Sequence, residues 1–290
     1  MEGARKAMKI TTLVENTTTC STLGFEHGLS LYIEAAGKTI LFDSGASELF
    51  AVNAEKLGID LQRVDAAVLS HGHYDHSGGL KTFFTKNTHA PLYVRKEAFG
   101  PNYSERTEGE YHYIGVDPTL FGSNRFVFTS AFTPISGDIT LFSKVDGTDS
   151  VPSGNQSLFR KEGETYTVDN FTHEQYLSIQ EGDVRLLVTG CSHRGILNIL
   201  KSYHDHRGFH PTHVIGGFHL YNHRTGEPEK PEVLEHIASV LLASKATFYT
   251  CHCTGEENYA ALRGLMGEKV RYLAGGDMLQ LGKENQHAST

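Results

Sequence analysis

Hydrophobic and polar residues alternate in short stretches along the first half of the chain. Residues 9–14 and 29–35 have the period-two pattern of half-buried strands, and 39–42 returns as a partner strand after a Gly37-Lys38 turn. Residues 47–57 carry apolar side chains at helical spacing, with Gly58 placed to end the helix. Residues 65–69 form a short apolar strand, 79–84 open a helix, and 92–94 form another strand.

The pattern changes between about residues 99 and 172. Tyrosines, glycines and short β-like pieces (126–129, 139–142) alternate without a helical period, as expected of a β-rich excursion or of a lid over a pocket. Regularity then returns. Residues 176–180 and 184–189 read as a hairpin around Glu181-Gly182-Asp183. Helices are expected at 195–203, 231–243 and 256–266, with strands at 212–215 and 247–250. The polar tail 283–290 is expected to fray. Strands alternating with helices in both halves suggest two packed sheets with helices outside, and a single domain over residues 1–290.

Composition narrows the class of partner. Hydrophobic residues are 39% and charged residues 21% of the 290, as in ordinary globular proteins. The net charge of -8 comes without a basic cluster, which argues against nucleic acid and for a small-molecule substrate. Residues 1–9 lack a secretory apolar region, and no apolar run approaches the ~20 residues of a membrane helix. Four cysteines (Cys20, Cys191, Cys251, Cys253) do not make a disulfide framework, so a cytoplasmic location is expected. Oligomeric state is not legible.

Seventeen histidines are unusual, and some cluster at ligand spacing. His71-Gly72-His73-Tyr74-Asp75-His76 follows a strand and precedes Gly78-Gly79. Imidazoles with a carboxylate suit Zn²⁺, and also Mn²⁺ or Fe²⁺. Asp75 and His76 are adjacent and point apart, which favours two neighbouring ions over one. Two later strand ends carry further candidates, His193 in Thr189-Gly190-Cys191-Ser192-His193 and His252 in Thr250-Cys251-His252-Cys253-Thr254-Gly255. Strand alternation turns Cys251 and Cys253 away from the metals if His252 faces them. His219, in Ile215-Gly216-Gly217-Phe218-His219-Leu220, is a candidate ligand, proton carrier or substrate contact. His27 is a similar candidate, and His173 a weaker one.

The His-x-His-x-Asp-His loop, with Phe42-Asp43-Ser44-Gly45 upstream, resembles the metallo-β-lactamase superfamily. That resemblance implies an α/β fold of the four-layer αββα sandwich type, with metals at one edge of the sheets. It implies His71, His73 and His193 at a first ion, and Asp75, His76 and His252 at a second. Asp43 would orient the loop from behind. Many members place an Asp shared between the ions where Cys191 stands here, so Cys191 becomes a candidate ligand.

Glu26-His27-Gly28-Leu29-Ser30, Gly-Cys-Ser-His, Gly-Gly-Phe-His-Leu and His-Cys-Thr-Gly together resemble one subgroup, over roughly residues 10–276. That subgroup includes archaeal enzymes joining a dihydropterin to a ribofuranosyl-aminobenzene phosphate, and many proteins described as metal-dependent hydrolases. The first expectation is therefore a hydrolase with a dinuclear site and a metal-bound hydroxide acting on a small ester, phosphodiester or related substrate, with Asp75 and His219 in catalytic roles. The second is a dihydropteroate-synthase-like transferase, with Tyr103, Tyr111 and Tyr113 lining a pterin slot. The third is a metal-containing ligand sensor of low turnover.

Overall fold

A computed structural model describes residues 7–222 and 224–282. The tail expected to fray lies outside the described residues. Two seven-stranded sheets face each other. The first runs, in spatial order, Met278–Leu281, Met8–Val14, Ser30–Ala35, Lys38–Phe42, Ala66–Val68, Leu92–Val94 and Phe126–Phe128. The second runs Val270–Tyr272, Thr247–Thr250, His213–Ile215, Val184–Val188, Tyr176–Glu181, Ile139–Phe142 and Phe132–Pro134.

Period-two alternation gives each sheet two apolar faces, and three cores follow. Between the sheets, Ile10, Leu31, Ile33, Ile40, Phe42 and Val68 meet Leu141, Leu177, Ile179, Leu186 and Val188. Outside the first sheet, Leu41, Ala67 and Leu92 pack under the helices Leu49–Lys56 and Leu80–Lys86 through Phe50, Ala54 and Phe83. Outside the second, Leu187, Val214 and Phe248 pack under Ile196–Arg207, Pro231–Ala243 and Glu256–Met266. The layers are α, β, β, α.

Most expected elements stand within a residue or two of their places. The helix expected at 195–203 is longer, Ile196–Arg207, and ends on Gly208 in the left-handed region. Within residues 99–172, a separate four-stranded sheet forms from Asn102–Thr107, Glu110–Tyr113, Leu158–Glu162 and Thr165–Val168. The strands Phe126–Phe128 and Ile139–Phe142 from the same stretch join the two large sheets.

The parallel strands deliver the chemistry to one edge. Lys38–Phe42 and Ala66–Val68 are parallel, as are Val184–Val188, His213–Ile215 and Thr247–Thr250. The segments after their C-terminal ends carry Asp43, the histidine loop, Cys191 and His193, His219, and His252. Asp43, Ser192, His219 and His252 all have positive φ (59°, 58°, 49° and 50°), so the chain turns sharply as it leaves the sheets. Such backbone is disfavoured for residues with a Cβ and concentrates at functional sites.

Candidate metal centre

Two triads of ligand-type atoms face each other at this edge. His71 Nε2 lies 3.1 Å from His73 Nδ1 and 3.3 Å from His193 Nε2. His252 Nε2 lies 3.2 Å from both His76 Nε2 and Asp75 Oδ2, with 3.7 Å between the latter two. Cys191 Sγ is 3.1 Å from His76 Nε2 and lies within 4.8 Å of the ligand atoms of His71 and His193 as well. All these residues are buried. The structure thus brings together every residue expected as a ligand.

The protons on the far sides of the rings show what the near sides hold. His76 Nδ1 donates to Asp43 Oδ2 at 2.7 Å. Asp43 also accepts from Ser70 N and from Ser70 Oγ, both at 2.7 Å. With its proton so used, Ser70 Oγ accepts from His71 Nδ1 at 2.9 Å. His193 Nδ1 donates to Asn155 Oδ1 at 3.0 Å, and Asn155 Nδ2 donates to His193 O at 2.7 Å, which fixes the amide's orientation. His252 Nδ1 donates to Asn16 Oδ1 at 2.7 Å, an oxygen that also accepts from Gly28 N.

With Nδ1 so committed, all four rings present Nε2 to the centre, as a lone pair wherever the ring is neutral. Lone pairs that face each other at 3.2 and 3.3 Å repel unless a metal ion, or the N–H of a protonated ring, lies between them. Metal–nitrogen bonds of about 2.0–2.1 Å around a tetrahedral ion set its ligands about 3.3 Å apart, so spacing and chemistry both fit a divalent metal. A ring whose outer nitrogen is tied to a carboxylate, hydroxyl or amide is the usual form of a metal-binding histidine.

The electrostatics agree. Burial and neighbouring imidazoles hold His71 and His193 well below the ordinary histidine range, and burial brings His73 and His252 down to about 3. His76 is the exception: burial pushes it down, but the carboxylates of Asp43 and Asp75 outweigh that and raise it. Burial also opposes ionisation of Asp75, and His76, His252 and His27 overcome it, leaving its carboxyl well below the usual range. Burial, then the neighbouring Cys253, push the Cys191 thiol well above its ordinary value.

Further supports, of which the sequence marked only His173 and only as a weak candidate, hold the backbone behind these rings. Glu174 Oε1 accepts from His193 N at 2.8 Å, and its other oxygen accepts from Arg194 N and Tyr176 Oη. In the same way, Glu15 Oε1 accepts from His252 N at 2.6 Å and from Tyr272 Oη at 2.7 Å. His173 Nδ1 accepts from Gly72 N at 3.1 Å, and its Nε2 donates to Asp169 Oδ2 at 3.0 Å. Asn102 Nδ2 donates to Gly72 O at 2.7 Å. Glu15 and Asn16 directly follow an apolar strand, a signal that could have marked them.

A cavity of about 310 Å³ opens over the triads. His219 and His27 both line it, as does part of the small sheet through Ser104, Glu105, Arg106 and Leu158. Asn16 Nδ2 donates to His27 Nδ1 at 3.3 Å, so His27 carries its proton on Nε2, 3.3 Å from Asp75 Oδ2. It supports that carboxylate rather than offering a lone pair.

Two expectations change. Cys253 does not face away: the strand stops at Thr250, His252–Thr254 is a 3₁₀ turn, and strand alternation no longer applies. Its thiol lines the cavity beside Cys191, whereas Cys251 does lie in the core between the sheets. Nor do the tyrosines form a slot. Tyr103, Tyr111 and Tyr113 pack on one another, Tyr166 and Phe159 across the small sheet, and none lines the cavity.

An αββα sandwich carrying this loop at the edge where the strand ends converge defines a class, and the chain belongs to the metallo-beta-lactamase superfamily, whose family model matches residues 23–195. Among individual proteins, it is similar to the 7,8-dihydropterin-6-methyl-4-(beta-D-ribofuranosyl)-aminobenzene-5'-phosphate synthase of Methanocaldococcus jannaschii, at 27% identity over 79% of this chain and 81% of that one. It is also similar to a solved metal-dependent hydrolase of the beta-lactamase superfamily, with TM-score 0.80 and 29% identity over 95% of this chain and 100% of that one. Zn²⁺-bound PqqB from Methylobacterium extorquens shares the fold, with TM-score 0.56 and 13% identity over 94% of this chain and 100% of that one. No helix among the described residues is long and apolar enough to cross a membrane.

Proposed function

We propose that this protein is a hydrolase of small esters, phosphodiesters or related substrates, working with two divalent ions, Zn²⁺ first among the candidates. The observation that carries the reading is the set of four imidazoles whose outer protons are all committed, with their lone pairs facing inward beside Asp75 and a cavity. His71, His73 and His193 would hold one ion, and Asp75, His76 and His252 the other. When bound, such a pair supplies a nucleophilic water at neutral pH and polarises a carbonyl or phosphoryl oxygen. A purely structural zinc site is normally closed by four protein ligands, whereas each triad here leaves room toward the cavity.

The chain's own residues have distinct parts in this reading. Asp43, Asn155 and Asn16 accept the Nδ1 protons of His76, His193 and His252 and keep the rings correctly turned. His27 donates to Asp75 and holds its carboxylate in place. His219, on the cavity wall with its ring 4.1 Å from that of His193, would pass a proton to a departing group. The single-domain organisation and a role for the small sheet as cover of the site belong to the same proposal.

The test is metal analysis of purified protein, followed by a panel of chromogenic esters and phosphodiesters. Two tightly held ions per chain and a chelator-sensitive hydrolysis restored by metal are expected. Full occupancy with silence across the panel would overturn the hydrolytic reading.

A second reading, transfer of a dihydropterin to a ribofuranosyl-aminobenzene phosphate, is supported by the similarity to the Methanocaldococcus synthase over most of both chains. Incubation with dihydropterin pyrophosphate and the aminobenzene partner should then release pyrophosphate. No release from metal-loaded protein that hydrolyses esters would exclude it.

A further inference from the structure

Cys253 has no part in the two triads, yet its thiol is buried in the wall of the same cavity. Cys191 Sγ, Cys253 Sγ and a ring nitrogen of His219 all lie within 4.8 Å of one another. Three neighbouring parallel strands deliver them: Val184–Val188 leads to Cys191, His213–Ile215 to His219, and Thr247–Thr250 to Cys253. The sharp turns at Ser192, His219 and His252, all with positive φ, bring the three side chains to one point. Space for the second thiol is built in: a Cβ on Gly217 would stand 2.4 Å from Cys253 Sγ. The Cys253 thiol meanwhile rests on Cys191 O at 3.6 Å, a weak bond that a stronger partner would readily replace.

Two thiolates are soft donors and an imidazole is a borderline one. They select Zn²⁺, Cd²⁺ or Co²⁺ over Mg²⁺ or Ca²⁺, and bind as thiolates with release of two protons. We infer that Cys191, His219 and Cys253 form a third, thiolate-rich metal position that takes a thiophilic divalent ion. Cys191 also lies within ligand distance of both triads, so the third position shares its sulfur with their edge. A borderline or soft ion would therefore load this centre differently from a hard one.

The experiment is a Co²⁺ titration of reduced, metal-free protein under anaerobic conditions, read by bound equivalents and by sulfur-to-cobalt charge-transfer absorption. Three equivalents are expected, the weakest bringing a rise in the charge-transfer band. Cys253→Ser should lose that equivalent and its share of the band while keeping the other two. His219→Ala should weaken the third equivalent at least about tenfold, which covers the case in which the cysteine variant fails to fold. Cys20→Ser, on a thiol that does not line the cavity, should change nothing. Wild-type protein that saturates at two equivalents, or Cys253→Ser protein with an unchanged titration, would overturn the inference. Stoichiometry is read without turnover, so failure of the hydrolytic reading would leave this one standing.

Discussion

At the scale of the residue, the centre depends on which ring nitrogen bears the proton. Asp43 is the clearest lever, because one carboxylate orders both His76 and, through Ser70, His71. Asp43→Asn should leave the protein folded and lower metal affinity about 10–100-fold, measured by competition with a chromogenic chelator. Unchanged affinity would show that the carboxylate does not orient the ligands. Metal removal exposes a second property of these rings. Burial holds His73 and His252 at about 3, whereas an unfolded histidine titrates near ~6.5. Between those values the unfolded chain binds more protons than the folded one, so stability rises with pH across the window and is lost as pH falls through it. The thermal midpoint of metal-free protein should therefore fall between pH 7 and pH 5. A flat profile would contradict the neutral, buried state of these imidazoles.

At the scale of the element, the loop is held by close backbone approaches that only glycine permits. A Cβ on Gly78 would stand 2.0 Å from Ala46 O, and one on Gly72 would stand 2.1 Å from Ala98 O. The obstacle is backbone in both cases, so it cannot swing aside. Gly78→Ala should destabilise the protein by more than about 2 kcal/mol in urea unfolding. A change within about 0.5 kcal/mol would mean that the loop can shift to accommodate it. Much of this level was legible in the sequence. The strand-then-histidine pattern marks the loop, and the strand ends mark His193 and His252. What stayed hidden depends on contacts far apart in sequence: Asn16 reaches His252 across 236 positions, and Asn155 reaches His193 across 38. The direction of Cys253 was misread because alternation holds only while the strand continues, and here it ends at Thr250. The β-rich character of residues 99–172 was legible, but not that four of its strands form a sheet of their own, because they pair with one another, away from the two large sheets.

At the scale of the molecule, two sheets bring strand ends from distant parts of the chain to one edge, and the small sheet walls the cavity above it. The protein is acidic overall, yet Arg106 and Arg224 line that cavity. If they meet substrate, Arg106→Ala and Arg224→Ala should raise KM for anionic phosphodiesters several-fold more than for a neutral ester. Equal effects on both would mean that they serve the wall and not recognition. If the two triads hold two ions, anomalous diffraction from crystals of metal-loaded protein will locate both. One peak is expected among His71, His73 and His193 and a second among Asp75, His76 and His252. Loaded protein with peaks elsewhere, or with neither triad occupied, would contradict it.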